Sequence, residues 1–169
     1  MNQKVAELIN EQINKELYSA YLYLDFANYF ADLGLDGFEN WYRVQVKEET
    51  DHAMLLLQYL HNNDVSVTLE AVDKPNVELT DRLQVLEEGL KHEKYVTSLI
   101  NNIYKAADDD HDYRTMQVLD WFVKEQGEEE KNATDLINKM KLFGRDAKGL
   151  YQLNAELLGR LYTAPSLVL

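Results

Sequence analysis

The chain has 169 residues, of which 46% are apolar and 28% are charged, the composition of an ordinary globular domain with a sizeable core. Its net charge of −13 argues against binding to nucleic acid and favours cations as partners, although an acidic surface also serves solubility alone. No apolar run is long enough to span a membrane, and the N-terminus shows no signal sequence. The absence of cysteine excludes disulfides and thiolate metal sites, and it fits a cytoplasmic location.

Long helices are favoured because the chain contains only seven glycines and two prolines. In four long segments, the residues that would share one helical face recur with alternating spacings of four and three, and most of them are apolar. A shorter fifth segment carries leucines on one side. The predicted helices span residues 3–31, 37–63, 80–107, 112–143 and 149–162 of a single domain, 1–169.

The connections between the predicted helices define a topology. Residues 32–36 and 108–112 form short linkers, which imply antiparallel neighbours. Residues 64–79 are too many for a hairpin, and at about 3.3 Å per residue they can reach roughly 50 Å. Because the second predicted helix would be about 40 Å long, this segment can run the whole length of a bundle. The sequence therefore predicts an all-α four-helix bundle with one long crossover and a short fifth helix.

Each long helical face is apolar except near its middle, where residues that can bind metal interrupt it. The interrupting residues are Glu16 in the first helix, Glu49 and His52 in the second, Glu93 in the third, and Gln126 and Glu129 in the fourth. Four helices packed side by side, in either direction, would bring these six residues to one level of the bundle. We call this set the polar layer.

The polar layer predicts a metal site. Unpaired carboxylates in an apolar core cost several kcal/mol each, and bound divalent cations would remove that cost. Carboxylates with one imidazole and no thiolate suit iron or manganese better than structural zinc. Glu49 and His52 are three residues apart on one helix and therefore point to the same spot. A lone Glu-x-x-His pair is more often a solvated pair, but interruptions at matched heights in four helices indicate metal ligation.

The sequence resembles the prokaryotic non-haem ferritins along nearly its whole length. The matching motifs are NEQINKELYSAYLY (10–23), KEETDH (47–52), HEK (92–94), WFVKEQGEEEK (121–131) and GLY (149–151). The resemblance implies a ferritin-like four-helix bundle, twenty-four copies of which form a hollow cage. It also implies an iron-storage protein with ferroxidase activity, which oxidises Fe(II) with O2 or H2O2 at a diiron centre and stores ferric oxyhydroxide mineral inside the cage.

The resemblance also implies roles for individual residues. By position, one iron would be held by Glu16, Glu49 and His52, and the second by Glu49, Glu93 and Glu129, with Glu49 bridging. Gln126 would be a polar neighbour of the pair, and Tyr23 would be either an electron donor or a packing residue.

A third iron site is implied toward the cavity of the cage. Its ligands would be Glu48, Glu125, Glu128 and Glu129. For Glu48, Glu125 and Glu128 the alternative is a solvent-facing acidic run, which is common on helices. Haem binding is disfavoured because Thr50 stands where a haem-binding bacterioferritin would have methionine.

Two other classes of protein share parts of this pattern. A non-catalytic helical bundle would have the same length and apolar faces but no reason to place acids at one level. A diiron oxygenase or a radical enzyme of the ribonucleotide reductase type would need a second Glu-x-x-His, where this chain has Gln126-x-x-Glu129. A rubrerythrin-like peroxidase would need cysteine, which is absent.

Overall fold

A computed structural model describes all 169 residues of the chain. Five α-helices and no strands are formed, which confirms the predicted all-α fold with its crossover and short fifth helix. The helices are α1 (Gln3–Asp32), α2 (Asp36–Asn62), α3 (Arg82–Asp109), α4 (Tyr113–Phe143) and α5 (Ala147–Leu157). None of these helices is both long and apolar enough to cross a lipid bilayer.

Side-chain caps determine where most of the helices begin. Asn2, Asp81, Asp112 and Asp146 each accept hydrogen bonds from the first free backbone N–H groups of α1, α3, α4 and α5. Such caps satisfy donors that have no partner within the helix. The cap at Asp81 explains why α3 starts at Arg82, two residues later than the sequence pattern predicts.

Helix α5 is shorter than predicted and ends at Leu157 instead of residue 162. The cause lies in another helix, because the side-chain amide of Asn40 in α2 donates to the carbonyl oxygens of Leu157 (3.1 Å) and Arg160 (3.0 Å). Those carbonyls are therefore satisfied without a further helical turn. Residues 158–169, hereafter the C-terminal segment, continue without helix or strand.

A close contact docks α5 against the start of α2. The Asn154 side chain accepts from the backbone N–H of Gly37 at 2.8 Å and donates to Asp36 at 2.8 Å. A Cβ atom at position 37 would lie 1.7 Å from the carbonyl oxygen of Asn154, so only glycine fits there. This approach places the C-terminal segment beside α2.

The interior consists of two apolar cores, one at each end of the bundle. One core is built from the start of α1, the end of α2, the end of α3 and the start of α4, and includes Ile9, Leu56 and Phe122. The other is built from the opposite ends of the same helices together with α5, and includes Phe26 and Phe38. In each helix the residues of the polar layer lie between the parts that contribute to the two cores.

The crossover, residues 63–81, has neither helix nor strand. It is held along α1 by two asparagine side chains. Asn10 donates to the carbonyl of Thr68 at 3.0 Å and accepts from its N–H at 2.8 Å. Asn14 donates to the carbonyls of Glu70 (3.3 Å) and Ala71 (3.1 Å).

Candidate metal centre

Three residues of the polar layer form a tight buried group. One possible ligand atom each from Glu16, Glu49 and His52 can be chosen so that all three lie within 4.8 Å of one another. Glu16 comes from α1, and the other two come from successive turns of α2, where Nδ1 of His52 lies 3.6 Å from Oε2 of Glu49. All three side chains are almost completely buried.

Each of these three side chains has one buried polar atom without a hydrogen-bond partner. Oε2 of Glu16, Oε1 of Glu49 and Nδ1 of His52 are buried and make no hydrogen bond. Nearly all buried polar atoms in proteins are paired, so three unpaired atoms pointing into one space require an explanation. A cation bound between them would supply it, and the donor set of two carboxylates and one imidazole suits Fe(II).

The remaining carboxylates of the layer are already hydrogen-bonded. The hydroxyl of Tyr23 donates to Oε1 of Glu93, and Nε2 of Gln126 donates to its Oε2 at 3.1 Å. Nε2 of Gln45 donates to Oε2 of Glu129 at 2.9 Å. Glu93 and Glu129 both line a small cavity of about 20 Å³, which has room for about one water molecule.

Two glutamines complete the surroundings of the acids. Gln12 donates to Oε1 of Glu16 at 2.9 Å and thereby fixes that carboxylate. Gln45 does the same for Glu129, while its own Oε1 is buried without a partner. The sequence pattern assigned neither glutamine a role, although helical spacing puts Gln12 on the same face as Glu16 and Gln45 on the same face as Glu49. The sequence does contain one signal for such a role, since each glutamine lies one helical turn before an acid of the polar layer.

Burial controls the protonation of the acids. It raises the pKa of Glu16, and together with the negative charges of Glu16 and Glu129 it raises the pKa of Glu49 well above the usual carboxyl value. Burial and the charges of Glu49 and Glu129 likewise raise the pKa of Glu93. The negative charges of neighbouring carboxylates thus add to the effect of burial at Glu49 and Glu93. Because metal ligands must be deprotonated, binding a divalent cation here releases protons.

The four predicted ligands of the third iron site lie in different surroundings. Glu48 is mostly buried and pairs with Arg160. Burial raises the pKa of the half-buried Glu125, and the charges of Glu129 and Glu128 add to the rise. The Glu128 side chain is 60% exposed and lies 3.6 Å from Nζ of Lys124. The structure therefore brings Glu48, Glu125 and Glu129 toward the polar layer and leaves Glu128 at the surface.

The geometry is consistent with the comparison to known proteins. A family model described as a ferritin-like domain matches residues 6–143. The chain belongs to the ferritin family. It is 37% identical over 151 residues to the bacterial non-heme ferritin of Campylobacter jejuni, with 89% of this chain and 90% of that protein covered.

Solved structures of archaeal ferritins are also similar. The open-pore ferritin from the hyperthermophilic archaeon Archaeoglobus fulgidus gives a TM-score of 0.92 at 41% identity, covering 95% of this chain and 98% of that one. A closed form of that ferritin engineered by site-directed mutagenesis gives a TM-score of 0.93 at 42% identity, with 96% and 99% covered. The resemblance to non-haem ferritins that the sequence motifs indicate is thus confirmed.

Tyr23 holds a fixed place in this member of the ferritin family. Besides its hydrogen bond to Glu93, it makes an edge contact with the ring of His92, with 5.8 Å between ring centroids. His92 lies 2.8 Å from the Ser19 hydroxyl through Nε2, and burial lowers its pKa to about 4. It is therefore neutral at physiological pH. His92 belongs to the HEK motif, but the sequence assigned it no role, because its contacts with Ser19 and Tyr23 are made across to α1.

Proposed function

We propose that this chain is an iron-storage ferritin that oxidises Fe(II) at a diiron centre in the polar layer. The observation that carries the proposal is the buried group of Glu16, Glu49 and His52, whose ligand atoms converge without hydrogen-bond partners. A structural or signalling bundle gains nothing from such an arrangement, because it would only bear the cost of desolvated acids.

The proposed ligand sets are those that the resemblance to non-haem ferritins implies, and the buried group of Glu16, Glu49 and His52 supports the first of them. Glu16, Glu49 and His52 would hold the first Fe(II), and Glu49, Glu93 and Glu129 would hold the second, with Glu49 shared. Gln12 and Gln45 would orient two of the carboxylates through their amide donors. On binding metal, Glu93 would lose the hydrogen bonds that it accepts from Tyr23 and Gln126. Gln126 would then be a polar neighbour of the metal pair. Tyr23 would be the residue next to Glu93 that could donate an electron.

The charges of the site suit the reaction. Four carboxylates balance the charge of two Fe(II) ions and favour the ferric state after oxidation. With dioxygen as the oxidant, two Fe(II) each give up one electron, and O2 takes both electrons and two protons to form H2O2. With H2O2 as the oxidant, the same two electrons and two protons yield two water molecules. Protons that leave the carboxylic acids when the metal binds are available for this step.

The stored product and the cage are further parts of the proposal. We expect ferric iron to leave by way of Glu48, Glu125 and Glu129 and to accumulate as an oxyhydroxide mineral inside a cage of twenty-four cytoplasmic subunits. The surface supports assembly, because several large apolar side chains are left exposed in the single chain. They include Tyr113, Leu142, Tyr151, Leu161 and Val168.

The test uses Glu49, which would contact both irons. Anaerobic protein loaded with Fe(II) is mixed with air, and oxidation is measured as the rise of the amber absorbance of ferric iron. We expect Glu49→Ala to abolish the rapid phase of this rise. Glu7→Ala, at an exposed position on α1, is the matched control and should oxidise Fe(II) at the parent rate. Parent-like oxidation by Glu49→Ala would refute the ligand assignment.

Gel filtration tests the cage separately. Twenty-four copies of the 19.7 kDa chain make a particle of about half a megadalton. A monomer or dimer with no soluble mineral would instead favour a non-storage diiron bundle.

A further inference from the structure

The C-terminal segment is held against the bundle at several points. The hydroxyl of Tyr162 donates to Oδ2 of Asp51 in α2 at 2.5 Å. The indole N–H of Trp121 in α4 donates to Oγ of Ser166 at 3.0 Å, and Leu167 packs against the core at that end of the bundle. The segment therefore lies along α2 and α4, the two helices that carry Glu48, Glu49, Glu125 and Glu129.

Arg160 is the charged anchor of this segment. Its Nη2 lies 2.6 Å from Oε2 of Glu48, and its Nη1 donates to the backbone carbonyl of Trp41 at 3.2 Å. The guanidinium carbon lies 4.1 Å from the centroid of the Trp41 ring, within the range of a cation–π contact. The side chains of Arg160 and Glu48 are only 15% and 17% exposed, so the pair is well shielded from solvent.

The electrostatic influence of Arg160 reaches beyond Glu48. Its positive charge opposes the rise that burial causes in the pKa of Glu48. It also opposes the rise that burial and the charge of Glu48 cause in the pKa of Glu129. Arg160 thus acts on two of the carboxylates that the proposed function assigns to the third iron site.

We propose that Arg160 is a tethered counter-cation that occupies Glu48 until a metal ion displaces it. This inference rests on the proposed function, because the third site is part of it. A guanidinium brings one positive charge, so it neutralises Glu48 in the absence of metal but gives way to an ion of higher charge. Arg160 would therefore weaken the third site selectively and leave the single ion bound by Glu16, Glu49 and His52 unaffected.

Displacement of Arg160 from Glu48 would also change the surroundings of the Trp41 ring. The guanidinium cannot leave Glu48 for solvent without changing its contact with the indole ring. The chain has only two tryptophans, so Trp121→Phe leaves Trp41 as the single indole reporter. Filling of the third site should then change the fluorescence of Trp41 by moving the guanidinium away from the indole ring.

Isothermal titration calorimetry with Zn²⁺, which is redox-inert, tests the proposal on the assembled protein. We expect the parent to bind two tight equivalents per subunit and a weaker third. Arg160→Gln should bind the third equivalent about tenfold more tightly, since no charge-assisted pair has to be broken, and the first, which uses none of the carboxylates near Arg160, as the parent does. Arg160→Lys, which keeps the charge, should stay near the parent.

The matched control is Arg43→Gln, which removes an ion pair of the same 2.6 Å length to Glu39 at an exposed place. It should leave all three equivalents unchanged. In the Trp121→Phe background, the third equivalent should alter Trp41 emission, and adding Arg160→Gln should remove that change.

The outcomes separate this inference from the proposed function. The role of Arg160 would be overturned if Arg160→Gln bound the third Zn²⁺ equivalent with the affinity of the parent. It would also be overturned if Arg160→Gln and Arg160→Lys bound that equivalent equally more tightly. In both cases two tight equivalents would leave the diiron centre in place. If the unmodified protein did not bind two Zn²⁺ equivalents tightly, the proposed function would be overturned.

Discussion

The two halves of the polar layer differ in how their polar atoms are satisfied. In the half formed by Glu16, Glu49 and His52, three buried atoms lack hydrogen-bond partners. In the other half, Glu93 and Glu129 accept hydrogen bonds from side-chain donors on neighbouring helices. A cation can enter the first half without displacing the glutamine amide that donates to Glu16, whereas one entering the second half must replace the hydrogen bonds that occupy both oxygens of Glu93. This difference predicts that the two ions of the proposed diiron centre would bind in a fixed order.

The largest expected effect comes from removing the imidazole. His52→Ala should weaken the first Zn²⁺ equivalent by about a hundredfold in calorimetry, because a ligand and its orientation are both lost. The carboxylates around Glu93 would then become the tighter half, which reverses the order of binding. His61→Ala, at an exposed place near the end of α2, is the control. An unchanged first equivalent in His52→Ala would mean that the unpaired half is not where binding begins.

A smaller effect is expected from freeing Glu93. Tyr23→Phe removes the hydroxyl that donates to Oε1 of this carboxylate. The second Zn²⁺ equivalent should bind a few-fold more tightly, since one hydrogen bond fewer must be exchanged, while the free energy of unfolding of the metal-free protein should fall by about 1 kcal/mol. Calorimetry and chemical denaturation measure the two quantities. Weaker binding of the second equivalent would show that Tyr23 orients Glu93 for metal and does not compete with it.

The smallest expected effect is a gradual pH dependence of the chelator-treated protein. Burial raises the pKa of Glu16 above the unfolded value, and burial together with the negative charges of Glu16 and Glu129 raises the pKa of Glu49 further above it. A raised pKa gives a stabilising contribution that is complete below the ordinary carboxyl range and is lost as the pH rises through the folded pKa. The melting temperature should therefore be lower at pH 8 than at pH 6, and Zn²⁺ should reduce the difference.

The double variant Glu16→Gln/Glu49→Gln is the control for this pH dependence. It removes two of the titrating groups, so its melting temperature should vary less between the same pH values. A double variant with the full pH dependence of the parent would place the responsible groups outside the polar layer.

The parts of the site that could be predicted from the sequence depend on helical spacing. Glu16, Glu49 and His52 interrupt apolar faces, and the burial of those faces carries these three side chains into the interior together. The same spacing places Glu129 and not Glu128 on the inward face of the fourth helix, whereas the assignment of Glu128 to the third site came only from the resemblance. The rotation of α4 in the bundle turns Glu129 inward and leaves Glu128 beside Lys124.

Contacts between distant parts of the chain were outside the reach of sequence patterns. Gln45 holds Glu129, which is 84 residues away, and nothing in the local sequence indicates that partner. The early end of α5 has a similar origin, since Asn40 of α2 takes the carbonyls that would have continued the helix. The pairing of Arg160 with Glu48 follows from that early end, because a longer helix would place Arg160 elsewhere.

The division of the interior into two apolar cores has a consequence for how the subunit tolerates its acids. Each of the four long helices contributes to both cores, and its backbone hydrogen bonds continue without interruption through the acidic middle. The acidic middle of the bundle is therefore flanked on both sides by packed apolar side chains from the same four helices. Local unfolding of that middle would disturb at least one of the two cores, so the subunit can carry buried acids there without unfolding at that point first.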